Sequence, residues 1–162
     1  YAAPILERYG FVGTVFAISS NIGGVNAWSS GQEKLMSGEQ LKTLRAKGWT
    51  IGSHTCSHPH LLKLSEDQQR LEIAESKKQL EALMGETIHT FSYPYNEWDG
   101  TAHRLVKEAG YEFACAISTP GRSVFKDPYA VRRVFVKRSD SLSAFKRKVS
   151  TWYLKYRGFM GH

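Results

Sequence analysis

The stretch Trp49-Thr50-Ile51-Gly52-Ser53-His54-Thr55-Cys56-Ser57-His58-Pro59-His60 decides how this chain is read. A short apolar strand runs into two histidines four residues apart, and a proline closes the turn behind them. Neutral imidazoles are common ligands for borderline transition metals, and two of them need one more ligand to make an open, catalytic site. The residue before a proline is pushed out of helical geometry, so His54 and His58 belong to a loop at a strand end rather than to two turns of a helix. The helical zinc-protease motif also places a Glu after its first His, where this chain has Thr55. The pair alone leaves a second possibility open, a loop with surface histidines, because six histidines in one chain produce such a spacing by chance often enough. Cys56, between the two, either joins the ligand set or points away.

Working outward, strands and helices alternate. Pro4 to Tyr9 reads as a helix end stopped by Gly10, and Val12 to Ile18 as a buried strand. Ser19 to Gly31 is rich in Gly, Asn and Ser and reads as a loop. Ser37 with Gln40, and Ser65 with Gln68, are capping boxes for helices ending at Gly48 and Gly85. The second of these carries Leu71, Ala74, Leu80, Leu83 and Met84 as its apolar stripe. Strands are expected over Trp49 to Ser53, Ile88 to Tyr93, Tyr111 to Ile117 and Val131 to Val136. Asp99 caps a helix ending at Ala109-Gly110, and Ser141 or Ser143 opens a last helix towards Tyr156. Short strands separated by helices predict a parallel sheet with helical crossovers, whose ligands gather at the carboxyl ends of the strands. The histidine loop lies at that end, and so does Ser92-Tyr93-Pro94-Tyr95-Asn96.

The 162 residues fit one domain, 1–162, with no run of eighteen apolar residues that would span a membrane. Two cysteines make no disulfide framework, and Cys115, in an apolar run, is expected to be a buried small hydrophobe. The net charge is +7, and basic residues from Arg132 to Arg157 crowd the C-terminal third. A solvated cationic face is the plain reading and contact with an anionic polymer the functional one. With no nucleic-acid module motif, no nucleic-acid partner is expected. Trp152, Tyr153 and Tyr156 read as an anchoring stripe on the last helix.

Three pieces occur in order: Gly52-Ser53-His54-Thr55-Cys56-Ser57-His58, Phe91-Ser92-Tyr93-Pro94-Tyr95, and Tyr129-Ala130-Val131-Arg132-Arg133-Val134. Together they resemble the polysaccharide deacetylase family, the NodB-homology domain of carbohydrate esterase family four. Ala3-Pro4-Ile5-Leu6 through Gly10-Phe11-Val12-Gly13-Thr14-Val15-Phe16 is similar to that family's first helix and second strand. The resemblance implies an α/β fold of the irregular (β/α) barrel type, with a divalent metal held by one Asp and two His. Zinc is the metal it most implies, with cobalt, nickel or manganese as alternatives. The implied activity is hydrolytic removal of acetyl groups from an N-acetylated polysaccharide of the N-acetylglucosamine type, outside the cell or in its envelope.

By position, His54 and His58 match the metal histidines, and Thr55 the hydroxyl residue that steadies their loop. Pro94 and Tyr95 match the motif whose tyrosine N–H helps hold the oxyanion and lines the substrate groove. Trp98 and Trp28 are candidates to stack on sugar rings. Ser92 stands where many members carry an arginine, a departure shared with a subset similar to enzymes acting on poly-N-acetylglucosamine. In that subset a later-strand arginine steers the catalytic carboxylate; Arg133 is the candidate and Arg132 the second choice, since neighbouring strand residues face opposite ways.

Two departures follow. The Thr-Phe-Asp-Asp-Gly motif that supplies the base and the metal carboxylate on a first strand is absent, and none of Asp67, Asp99, Asp127 and Asp140 follows an early strand. The late Leu-x-His motif is also unrecognisable. The expectation is therefore a barrel lacking its first strand, inactive alone, with a sheet edge open to self-association. The alternative is a non-catalytic glycan-binding module on the same fold.

Overall fold

The computed structural model describes residues 2–26, 32–117 and 127–150. In chain order they form α1 (Ala2–Arg8), β1 (Thr14–Ala17), α2 (Gly38–Ala46), β2 (Thr50–Ser53), α3 (Glu66–Met84), β3 (Thr90–Ser92), α4 (Gly100–Glu108), β4 (Phe113–Ile117), β5 (Val131–Arg133) and α5 (Leu142–Lys148). Both capping boxes form as expected, Ser37 with Gln40 and Ser65 with Gln68. Gly85 ends α3 at φ 71°, a conformation in which a side chain would be strained. Trp28 and the Trp152, Tyr153 and Tyr156 stripe lie outside the described residues.

The five strands are all parallel, and their spatial order β1-β2-β3-β4-β5 is the order of the sequence. An order that never reverses is the topology of a (β/α) barrel rather than of a doubly wound sheet. One contact shows that the sheet is curled. In a flat sheet β1 and β5 would lie about 19 Å apart, four strand spacings, which is more than an arginine side chain spans. Yet the Arg133 guanidinium sits 5.8 Å from the centre of the Phe16 ring.

Register sorts the side chains into two faces. Ala17, Ile51, Phe91, Ala114 and Ala116 pack outward against Ile73 and Leu80 of α3 and Leu105 and Val106 of α4, forming the core. Phe16, Gly52, Thr90, Ser92, Cys115 and Arg133 share the concave face. Cys115 is accordingly half-buried, not the buried small hydrophobe expected, because it lines the concavity instead of the core.

The buried stripe of α3 also differs from the expected one. Leu71 is 61% exposed, while Gln69, Ile73, Ser76 and Leu80 are buried at helical spacings of four, three and four. Two of these four are polar, which hides the stripe from a hydrophobicity pattern. Ser76 is satisfied on burial, its Oγ lying 2.7 Å from Ser53 Oγ and 3.2 Å from the Tyr111 hydroxyl, and Gln69 is held by its Nε2, which donates to the Leu64 carbonyl.

Gly52 is where the concave face closes most tightly. A Cβ there would meet Thr90 Oγ1 at 2.4 Å and the Phe16 ring at 2.7 Å. Gly52→Ala is expected to destabilise the protein by about 1–3 kcal/mol through overpacking, read as a lower midpoint in urea denaturation. An unchanged midpoint would mean that Phe16 is free to move aside.

Candidate metal centre

The histidine loop follows β2 directly, and its shape is set by an unusual backbone. Thr55 and His58 adopt φ 69° and 62°. A β-branched residue is rarely found there, so something must hold Thr55 in place. Its side chain is fully buried; Oγ1 donates to the His54 carbonyl at 2.5 Å and accepts the His58 N–H at 3.0 Å. One hydroxyl thus ties the two histidines together. Further anchoring comes from β1 and the turn after it: His54 N–H donates to the Ala17 carbonyl, Ser19 N–H to that of Thr55 and Ser20 N–H to that of Cys56.

His54 is oriented by the neighbouring strand end. Its Nδ1 lies 2.6 Å from the Ser92 carbonyl. A carbonyl only accepts, so Nδ1 carries the proton and Nε2 keeps its lone pair, the arrangement that a metal-binding imidazole requires. Burial is the main cause that lowers the His54 pKa to about 4; the Ser92 bond opposes it, while His58 and Arg133 lower it further. His58 is shifted down as well, first by burial. Both rings are therefore neutral near pH 7. Their centroids are 4.8 Å apart at 71°, and both rings line one cavity of about 250 Å³ with Phe16, Ile22, Met36 and Leu41. This donor set fits a borderline divalent cation.

Among the described residues no group of three His, Cys, Asp or Glu side chains gathers around a metal position. Cys56 does not complete the set: its thiol is turned towards the hydroxyls of Ser19 and Ser20, and burial pushes its pKa up. The four aspartates are occupied elsewhere. Asp67 lies in the first turn of α3, Asp99 caps α4, Asp127 pairs with His103 at 3.0 Å, and Asp140 pairs with Lys148 at 2.6 Å.

The loop after β3 faces the histidines. Tyr95 and Asn96 are also left-handed, at φ 53° and 58°, so all four non-glycine residues with positive φ among the described residues lie in these two loops. Pro94 is buried and opens this turn. Tyr95 occupies the opening turn of the Pro94–Asn96 segment, where N–H groups find no partner inside the element. Its ring, 42% exposed, meets the edge of His58 at 4.6 Å and stacks on His60 at 4.0 Å and 8°. His60 in turn lies 2.9 Å from Glu97, a link across the two loops that motif spacing did not reveal.

Arg133 arrives from β5. It lines a second cavity of about 200 Å³ with His54, Tyr93, Tyr95 and Asn96, and its Nη2 donates to Asn96 Oδ1 at 3.4 Å. Among the described residues no acidic side chain pairs with it. The side chain of Arg132 lies outside the described part. Trp98 is half-buried, stacked on Tyr93 at 5.8 Å and packed against the core.

A model of the polysaccharide deacetylase family matches residues 1–114. The chain belongs to that family. Among curated relatives, YxkH of Bacillus subtilis, whose name places it in the same family, is 30% identical over 144 residues, covering 89% of this chain and 49% of that protein. The poly-beta-1,6-N-acetyl-D-glucosamine N-deacetylase of Staphylococcus aureus is 23% identical over 160 residues, covering 93% and 53%. The chain thus spans about half the length of the curated relatives it matches. Among solved structures, the Streptococcus pyogenes deacetylase PplD aligns with a TM-score of 0.75 at 20% identity, covering 91% of this chain and 62% of that one. IcaB of Ammonifex degensii aligns at 0.73 and 22% identity, covering 83% and 60%. At those identities the structures establish the fold, that of the deacetylase domain.

The buried neutral imidazole of this deacetylase-family site has a consequence for stability. With His54 near 4 in the folded state and 6.5 when unfolded, the native protein binds fewer protons between those values. Its contribution is fully present above pH 6.5 and is lost as pH falls towards 4. In metal-free protein the urea midpoint is expected to drop between pH 7 and pH 5, and His54→Gln to flatten that drop. An equally steep drop in the variant would show that His54 is not the proton acceptor.

Proposed function

We propose that this chain carries the metal-binding and oxyanion-binding part of a hydrolase that removes acetyl groups from an N-acetylated polysaccharide of the N-acetylglucosamine type. The observation that carries the reading is the Nδ1 bond from His54 to the Ser92 carbonyl, which leaves Nε2 bare beside His58. His54 and His58 are the residues that would hold the cation, zinc by the softness of two imidazoles. A divalent cation bound there supplies Lewis acidity, polarising a carbonyl and acidifying water.

The protein's own groups do the rest. The Tyr95 N–H, fixed in a left-handed turn, offers a donor to a developing oxyanion without reorganising. The Arg133 guanidinium places positive charge beside the histidines, suited to steering a carboxylate base. The exposed ring of Tyr95 and the half-buried Trp98 are the proposed sugar contacts. A non-catalytic glycan-binding module would need sugar-facing aromatics but no locked, neutral imidazole pair. The Staphylococcus aureus relative, named for poly-beta-1,6-N-acetyl-D-glucosamine, supports the substrate class.

Two imidazoles need a third ligand. The cavity along β1 opens beside that strand, which pairs only with β2 among the described residues. We place the missing carboxylate on a strand laid along this free edge. The same edge is where a second copy would associate in its absence. This chain alone is then expected to release little acetate.

The test is acetate release from N-acetylglucosamine oligomers by the native protein. His54→Ala and His58→Ala are each expected to lower release at least ~100-fold, as is a chelator, with zinc restoring the chelated enzyme only. Release untouched by chelator or by either substitution would overturn the proposal.

A further inference from the structure

One carboxylate, outside every motif quoted above, holds the backbone between the two histidines. Glu72 Oε2 accepts the Cys56 N–H at 2.9 Å and the Ser57 N–H at 3.0 Å, and Oε1 accepts the Ser57 hydroxyl at 2.7 Å. Glu72 is on α3, whose next inward residue, Ile73, is fully buried, so the carboxylate is presented from a rigid base. It does not act alone. Glu72, Ser76 and Gln79 fall four and three residues apart and share one helical stripe. Ser76 holds Ser53 at the end of β2, and Gln79 accepts the Ser19 hydroxyl at 2.7 Å in the turn whose N–H groups bind Thr55 and Cys56.

Resting on the deacetylase reading above, we infer that Glu72 is the positioning residue of the metal centre, fixing the His54–His58 loop in its ligating shape. The physical need is plain. Thr55 and His58 are left-handed, and each such residue costs of order 1–3 kcal/mol unless its surroundings over-determine it. Between them lie two N–H groups that would otherwise face the helix without a partner. A carboxylate satisfies both, and charge-assisted bonds to backbone N–H are roughly twice as strong as neutral ones. Without them the loop is free to relax towards ordinary φ values, carrying the two imidazoles apart.

The test uses the full chain with Glu72→Ala, Glu72→Asp and Glu72→Gln. Glu81→Ala serves as control, since that carboxylate accepts the Ile88 N–H at the far end of the same helix. Two readouts are taken: the zinc dependence of the His54 and His58 ring signals by NMR, and amide exchange at Cys56 and Ser57 in metal-free protein. The zinc dissociation constant is expected to rise at least ~10-fold in Glu72→Ala and Glu72→Asp and to stay within about threefold in Glu72→Gln, which keeps a carbonyl oxygen at the same reach. Exchange at both amides should quicken in the Ala and Asp variants, and Glu81→Ala should change neither readout. Unchanged zinc affinity with unchanged protection in Glu72→Ala overturns the inference; should that variant fail to fold, equal zinc binding by the Asp and Gln variants does so. If the wild-type rings ignore zinc altogether, the hydrolase reading is what fails, and the exchange rates alone decide the role of Glu72.

Discussion

The bond from His54 Nδ1 to the Ser92 carbonyl joins the loop after β2 to the strand end of β3, and the rest of the site depends on it. It does three things at once. It fixes the tautomer, so that Nε2 keeps its lone pair. It sets the plane of the ring against His58. It also ties that ring to the residue two before Pro94, linking the histidine loop to the Tyr95 turn. A parallel sheet makes such a bond available, because successive strands end side by side and their loops emerge in the same direction. The short register pairing of Ser53 with Phe91 brings the two ends level.

Strain is concentrated where this coupling occurs. Thr55, His58, Tyr95 and Asn96 are left-handed, and every one of them lies within one residue of a group proposed for ligation or for the oxyanion. Such conformations persist only when neighbours over-determine them. Here the neighbours are identifiable: the Thr55 hydroxyl, the Glu72 carboxylate, and the stack of His60 on Tyr95 backed by Glu97. The site is thus held by hydrogen bonds and ring contacts drawn from α3 and from the facing loop, not by the apolar core.

That division explains what a reader of the sequence sees and misses. His54, His58 and the Pro94-Tyr95 turn are legible because their chemistry is written in residue type and local spacing. The alternation of strands and helices is legible from capping boxes and glycine stops. Arg133 over Arg132 follows from parity once the strand register is known, and the register is tertiary. Glu72 is not legible, since a glutamate in a charged helix looks like any solvated residue until the loop is folded against it. The stripe of α3 misleads for the same reason: Ser76 and Gln69 are buried polar residues, which no hydrophobic period records, while Leu71 faces solvent.

Curling of the sheet is what turns these local features into one centre. Arg133 and the histidines belong to strands three apart in order, and only the concave face, closed by Gly52 against Phe16, brings a cation within reach of the imidazoles. A positive charge placed there without an acidic partner among the described residues lowers the His54 pKa further and disfavours an imidazolium. The same charge would favour an anion in the cavity between them. Guanidinium and neutral imidazoles are therefore both complementary to a carboxylate such as the one proposed beside β1: one group would steer it and the others would share a cation with it.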